Sequence, residues 1–218
     1  MDSDKSQLYR KLTGFNTAVL YDSASRLKLN GALHGISPVS QGARLAGPAL
    51  TVRYGPAGGS ALGMNLYDIM HAAPKGAVLV VEAPTDGWIA GANTTNFAAR
   101  CLMVGIVTDG CIRDIADIRK SGFPVFSRGA AVEGYAKQLM LAEVGGLIHC
   151  GGVDIRSGDW IAGDDDGVMR ISMDRMEDVA YQAEDIQEID AFQAAAISRG
   201  MPLAELQVNL KRWGVLRA

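Results

Sequence analysis

Arg113 and Asp114 stand side by side in the stretch VGIVTDGCIRDIADIRKSGFPVFSRG, residues 104–129. The stretch reads as strand, tight polar turn, helix, strand. The apolar run Gly105, Ile106, Val107 gives way to the turn Asp109, Gly110, Cys111, Ile112, Arg113, Asp114. A guanidinium can fork onto a carboxylate, and a neighbouring aspartate can hold a hard cation through oxygen. One loop could therefore grip an organic acid and the metal that polarises it. Spacing alone leaves another reading open. Asp114 also suits the N-cap of a helix over 115–121, with Asp117 three residues on, Gly122 at its end and Arg113 at the surface. Location favours the site, because ligands of open α/β sheets lie beyond the carboxyl ends of strands, where helix starts favour anions.

A second loop enters a helix at Gly91, Ala92, Asn93, Thr94, Thr95, Asn96. Backbone N–H groups at such a start lack intrahelical partners and can hold a carboxylate. Asn93 or Thr94 is the expected N-cap, which is compatible with an anion site. Asp86 lies in a loop after a buried strand and reads as solvated, although it could reach the same cleft. Asp164, Asp165 and Asp166 lack the spacing of a calcium loop and read as a polar turn. The glycines of GPAGGS, residues 55–60, are followed by no Lys-Ser/Thr fingerprint and read as a flexible loop. Cys111 has no histidine partner nearby and reads as packing. Trp88 and Trp160 read as core or interface residues.

The elements that must position these residues follow from periodicity. Residues 1–12 form a short amphipathic lead-in. A helix capped by Thr17 runs to about Leu27, and residues 31–49 read as turns and loop. Strands are expected over 49–54 and 77–82, the second continuous, apolar and β-branched. Helices are expected over 62–73 and 93–103. Short strands follow at 147–150, 160–162 and 168–171. Asp174, with Glu177 at the third position, marks the start of a long helix to about Arg199. Leu203, Leu206 and Leu210 suggest a last short one. This order makes an α/β protein, read as one domain over 1–218.

Composition narrows the function. The 218 residues are 48% hydrophobic and 21% charged, with a formal charge of −3 and a pI near 5.6. That balance argues against a nucleic-acid partner, which usually requires a basic face. One arginine in a cleft still suffices for a small anionic substrate. Three cysteines without a C-x-x-C pair fit a reducing compartment. The three histidines match no zinc spacing. No secretory leader and no run long enough to span a membrane are visible, so a cytoplasmic protein without membrane partners is expected.

Several segments together resemble the RraA-like proteins. These are LYDSASRLKLNGALHGISPV, GARLAGPALTVRY, KGAVLVVE, GIVTDGCIRDIADIRKSGFPVFSRG and GGVDIRSGDWIAGDDDGVMRI. That family includes divalent-metal-dependent class II pyruvate aldolases acting on 4-hydroxy-4-methyl-2-oxoglutarate and 4-carboxy-4-hydroxy-2-oxoadipate. It also includes RraA itself, a non-catalytic inhibitor of ribonuclease E. The resemblance implies a layered β-β-α sandwich of the swivelling-domain type, assembled as homotrimers or hexamers. It implies Mg²⁺ or Mn²⁺ on Asp114, Arg113 on the substrate carboxylate, and the backbone at Gly91, Ala92, Asn93 and Thr94 completing the pocket. The implied reaction is cleavage of a 4-hydroxy-2-oxo acid to pyruvate, with oxaloacetate decarboxylation as a related activity. One departure matters: aldolases of the family place an acidic residue at the position of Ala92. That leaves room for a different metal-dependent reaction on a hydroxy or oxo acid, or for a non-catalytic regulator. An acidic residue from a neighbouring subunit's C-terminal helix is also implied, with Glu188 and Asp190 as candidates.

Overall fold

A strand that is apolar at every position must be covered on both faces. Val78, Leu79, Val80 and Val81 are such a run, and all four are fully buried. The structure, a computed structural model, describes residues 3–56, 62–83, 85–134 and 139–217. In chain order the elements are α1 (Ser3–Gly14), α2 (Thr17–Arg26), β1 (Ala32–Leu33), β2 (Ser37–Pro38), β3 (Leu45–Pro56), α3 (Leu66–Ala72), β4 (Val78–Glu82), β5 (Trp88–Ala90), α4 (Ala92–Arg100), β6 (Gly105–Thr108), β7 (Cys111–Ile112), α5 (Ile115–Ser121), β8 (Val125–Ser127), β9 (Gly129–Ala130), β10 (Leu139–Val144), β11 (Ile148–Cys150), β12 (Val153–Ile155), β13 (Trp160–Asp164), β14 (Gly167–Ile171), α6 (Met176–Ser198) and α7 (Leu203–Leu210). They fall into two compact units, Ala32–Met173 and the pair Met1–Gly31 with Asp174–Ala218.

In the larger unit the main sheet has the order β1-β14-β13-β3-β4-β6-β8-β2, with β10 also pairing β3. The centre, β3-β4-β6-β8, is parallel. Alternation splits β4 between two cores. Leu79 and Val81 pack among Ile69 and Met70 of α3, Ala98 of α4 and Ile118 of α5. Val78 and Val80 pack among Ile148 and Cys150 of β11, Ile155 of β12 and Ile161 of β13. Helices therefore cover one face and strands the other, which is the expected β-β-α layering. A separate small sheet, β5-β7-β9, is parallel throughout.

Several elements depart from expectation. Residues 31–49 are not all loop: β1, β2 and the first third of β3 lie there. Pro and Gly hid β3, but Gly47 is a strand glycine, because a side chain there would strike the Gly76 carbonyl. The turn between β6 and α5 contains the short strand β7. Strands β10 and β12 were not foreseen. Of the expected loop over 55–60, Gly55 and Pro56 end β3 and the remainder lies outside the described residues.

In the smaller unit α1 and α2 pack on α6. Asn16, not Thr17, caps α2, its side chain accepting from the Val19 amide at 2.8 Å. Asp174 falls in a 3₁₀ turn, Met173–Arg175, so α6 begins at Met176 with no side-chain cap. Arg26 is buried. Its guanidinium pairs with Asp185 at 2.8 Å and donates to the Trp213 and Arg212 carbonyls. Asp22 on α2 and Asp190 on α6 both hold their protons more tightly than usual. Burial is the main cause for each, and Asp190 also feels the charge of Asp22.

Candidate functional site

The small sheet positions the site. Trp88 in β5 lies opposite Cys111 in β7, and the Arg113 amide donates to the Ala90 carbonyl at 3.1 Å. β5 thus leads into Gly91 and α4, while β7 leads into Arg113, Asp114 and α5. The two loops singled out from sequence meet here.

Asp114 is held in an unusual way. Its backbone is left-handed, at φ 59° and ψ 39°, a conformation enriched in Asp and Asn. Its carbonyl starts α5 by accepting from Asp117 and Ile118. Its side chain makes no cap hydrogen bond to α5. Instead Oδ2 accepts from the Ala92 amide at 3.1 Å. The expected cap at Asn93 or Thr94 is also absent: α4 begins at Ala92, with Gly91 at the N-cap position and no side-chain cap of its own. Asp114 supplies that function from across the site, which satisfies one of the orphan N–H groups of α4.

Gly91 is what lets the two loops approach. A Cβ there would lie 2.5 Å from Asp114 Oδ2 and 3.1 Å from Arg113 Cγ. Its φ of −147° suits any residue, so the requirement is for space. Arg113 Nε lies 3.6 Å from Asp114 Oδ2, and both side chains are partly exposed. The Arg113 guanidinium carbon lies 3.8 Å from the centre of the Trp88 ring. Such stacking contributes about 0.5–2 kcal/mol and holds the plane of the guanidinium. The indole N–H of Trp88 donates to the Val132 carbonyl at 3.1 Å, which fixes the ring in turn.

These residues line a cavity of about 230 Å³ together with Tyr54, Leu66, Tyr67, Ile89, Asn93 and Thr94. The volume is below the roughly 300 Å³ at which drug-sized sites begin, and suits a small metabolite. Of the residues singled out from sequence, Gly91, Asn93, Thr94, Arg113 and Asp114 line this cavity. Ala92 is beside it, through its amide. Trp88, read as core or interface, lines the cavity as well. Tyr54, Leu66, Tyr67 and Ile89 were missed, and only the tertiary fold brings them in.

The other acidic candidates lie elsewhere. Asp86 is solvent-exposed and pairs with Arg128. Asp164 accepts from the Asp166 amide, and Asp165 from the Gly42 amide. Glu188 and Asp190 are on α6 in the smaller unit. Asp109 latches the end of β4, accepting from the Ala83 amide at 2.7 Å, and burial raises its pKa. Cys111 is buried, as expected of packing. Burial pushes the Cys150 thiol well up, which keeps it protonated and inert. Among the described residues no cluster of three or more His, Cys, Asp or Glu could hold a metal, and no helix is long and apolar enough to cross a membrane.

Residues 17–170 match the family described as RraA-like, Aldolase/RraA. The chain belongs to the RraA-like family. Among relatives of this RraA-like chain is a Halalkalibacterium halodurans protein named "Putative 4-hydroxy-4-methyl-2-oxoglutarate aldolase". It is 36% identical over 167 residues, covering 75% of this chain and 76% of the relative. Protein DlpA of Legionella pneumophila is 29% identical over 201 residues, 91% of this chain but only 33% of its own length. This chain thus spans about a third of that relative. An uncharacterised Pseudomonas syringae protein of known structure superimposes with a TM-score of 0.84 at 26% identity, covering 93% of this chain and 97% of the other.

Proposed function

We propose that this RraA-like chain is a divalent-metal-dependent lyase that cleaves a 4-hydroxy-2-oxo acid to pyruvate, with oxaloacetate decarboxylation as a related activity. One observation carries the reading. The Asp114 carboxylate, oriented by the Ala92 amide, lies beside the Arg113 guanidinium in one small cavity. The name of the Halalkalibacterium halodurans relative supports the same class of reaction.

The donor set fits Mg²⁺ or Mn²⁺. Magnesium retains much of its water and is commonly held by one or two carboxylates plus oxygens of the substrate. Asp114 supplies one carboxylate, with Oδ2 steadied by the Ala92 amide. When bound, such an ion supplies Lewis-acid polarisation of the 2-oxo group. Arg113 binds the substrate carboxylate, with its plane fixed by Trp88. Gly91 lets the two charged side chains and α4 close on the same small volume. Asn93 and Thr94 offer neutral hydrogen-bonding groups at the cavity wall.

Ala92 favours a second reading, a different metal-dependent reaction on a hydroxy or oxo acid. With alanine there, Asp114 is the sole acidic group among the described residues lining the cavity. Assembly as a homotrimer or hexamer belongs to the same proposal.

Asp114→Asn tests the proposal. The amide oxygen still accepts from Ala92, while the charge is gone. Mn²⁺ affinity, followed by electron paramagnetic resonance, is expected to weaken at least tenfold, and pyruvate release to fall at least a hundredfold. Unchanged Mn²⁺ binding together with unchanged turnover sinks the reading. For the alternative, Ala92→Asp is expected to raise pyruvate release; an unchanged rate counts against it.

A further inference from the structure

We propose that Gly134 is a positioning residue of the site: it leaves the Trp88 ring its seat, and the seated ring sets the direction of Arg113. The inference rests on the lyase reading above only in taking Arg113 as the group that meets the substrate carboxylate.

Three segments of chain close on one another beside the cavity. β5 pairs β7, and β7 pairs β9. The chain beyond β9 then crosses to β5. The Ala131 amide still donates to the Ile112 carbonyl of β7 at 2.9 Å, whereas the Glu133 carbonyl accepts from the Trp88 amide of β5 at 2.9 Å. Gly134 forms a parallel bridge with Trp88. Residues 129–134 are thus a strap that ties the strand leading to Arg113 to the strand leading to Gly91.

Trp88 is where this strap meets the site. Its indole N–H donates to the Val132 carbonyl at 3.1 Å. A Cβ on Gly134 would lie 3.1 Å from Cε2 and Cζ2 of the indole and 3.2 Å from Nε1. Those are three consecutive atoms of a rigid ring, which cannot yield as the end of a flexible side chain can. Carbon atoms settle about 3.5–4.0 Å apart, so a side chain at 134 must push the ring by roughly 0.5 Å. The backbone of Gly134 is not left-handed, so glycine is required here for space.

The same ring carries the Arg113 guanidinium, whose carbon lies 3.8 Å from the ring centre. A shift or tilt of the indole is therefore passed to the cation stacked on it. Asp114 is held separately, by the Ala92 amide and by the space at Gly91. Gly134 accordingly acts on the half of the site that takes the carboxylate and not on the half that takes the metal. A general loosening of the fold would affect both.

Calorimetry with Mn²⁺ alone, and with oxalate at saturating Mn²⁺, tests the assignment. Oxalate presents a carboxylate beside further oxygens, as the head of a 2-oxo acid does. Gly134→Val is expected to weaken oxalate binding by roughly fivefold or more, with Mn²⁺ affinity within about threefold of wild type. Gly134→Ala is expected to fall between valine and wild type. In a Trp88→Leu background, which lacks the ring, adding Gly134→Val is expected to change oxalate affinity by less than about twofold. Should the valine variant not fold, Gly134→Ala carries the same comparison, with about twofold as its threshold. A smaller loss, a parallel loss of Mn²⁺ affinity, or an equal loss in the Trp88→Leu background overturns the proposal and leaves the lyase reading intact. Binding of Mn²⁺ but not oxalate by the wild type overturns both. Oxalate binding that depends on Gly134 through Trp88, without pyruvate release from any 4-hydroxy-2-oxo acid, supports the positioning role and defeats only the assigned reaction.

Discussion

Gly91→Ala places one methyl group where the two functional loops touch. Its Cβ would lie 2.5 Å from Asp114 Oδ2. Carbon–oxygen contacts settle near 3.3–3.6 Å, so the carboxylate must retreat by roughly 1 Å. The hydrogen bond from the Ala92 amide, 3.1 Å in the wild type, is then broken. A hydrogen bond to a charged group contributes about 1.5–3 kcal/mol. Replacing glycine at a φ open to alanine returns about 0.4–1 kcal/mol through the unfolded chain. The net loss is about 1–2 kcal/mol, or roughly 2–8 °C in Tm for a chain of this size. Activity suffers more, because a misplacement of about 1 Å can cost on the order of a hundredfold. The assay is pyruvate release coupled to lactate dehydrogenase, beside thermal melting of the same samples. Gly129→Ala is the control, since a Cβ there meets nothing within 4 Å. Turnover by Gly91→Ala within threefold of wild type refutes the view that this glycine sets the spacing of the site.

Other consequences are open to measurement. Arg113→Lys keeps the charge but loses the fork and the stack on Trp88, so kcat/KM is expected to fall by roughly 10–100-fold, with Tm lowered by about 1–8 °C. Arg26→Met removes one of two arginines from Asp185, leaving Arg212 at 3.2 Å, and urea unfolding is expected to register a loss of about 1.5–3 kcal/mol. Burial raises the pKa of Asp109 from its ordinary 3.8, so its contribution to stability is complete below that pH and is lost as pH rises through the folded-state value. The stability of wild type minus that of Asp109→Asn is therefore expected to decline as pH rises above 3.8, and a difference that grows with pH contradicts the assignment.

The parts of the fold that were legible in sequence were those with strong local patterns. The β-branched run ending at Glu82 could only be a buried strand, and the helix 115–121 was bracketed by Asp114 and Gly122. The helix caps were less legible, because their partners are remote. Asn93 and Thr94 have the right chemistry to cap α4, yet the carboxylate at its start comes from Asp114, which lies well along the chain and is bound by an amide across the site. The strand over residues 45–48 was hidden by its glycine and proline, whose purpose is visible only once Gly76 is beside them. Arg113 and Asp114 announced themselves by type and location. The aromatic wall did not, since Tyr54 ends a strand, Tyr67 opens a helix and Trp88 starts another strand, and no local spacing links the three.

The composition of the two units bears on the order in which the chain acquires structure. Ala32–Met173 is continuous in sequence, so the larger unit, with its sheet and its cavity, has all its strands once that stretch has emerged from the ribosome. The smaller unit is discontinuous: α1 and α2 are made early, but α6, on which they pack, is made late. Domains generally form as units during synthesis. The first two helices therefore gain the cover of α6 over their buried residues, Leu12, Val19 and Leu20 among them, only when the chain beyond Asp174 arrives.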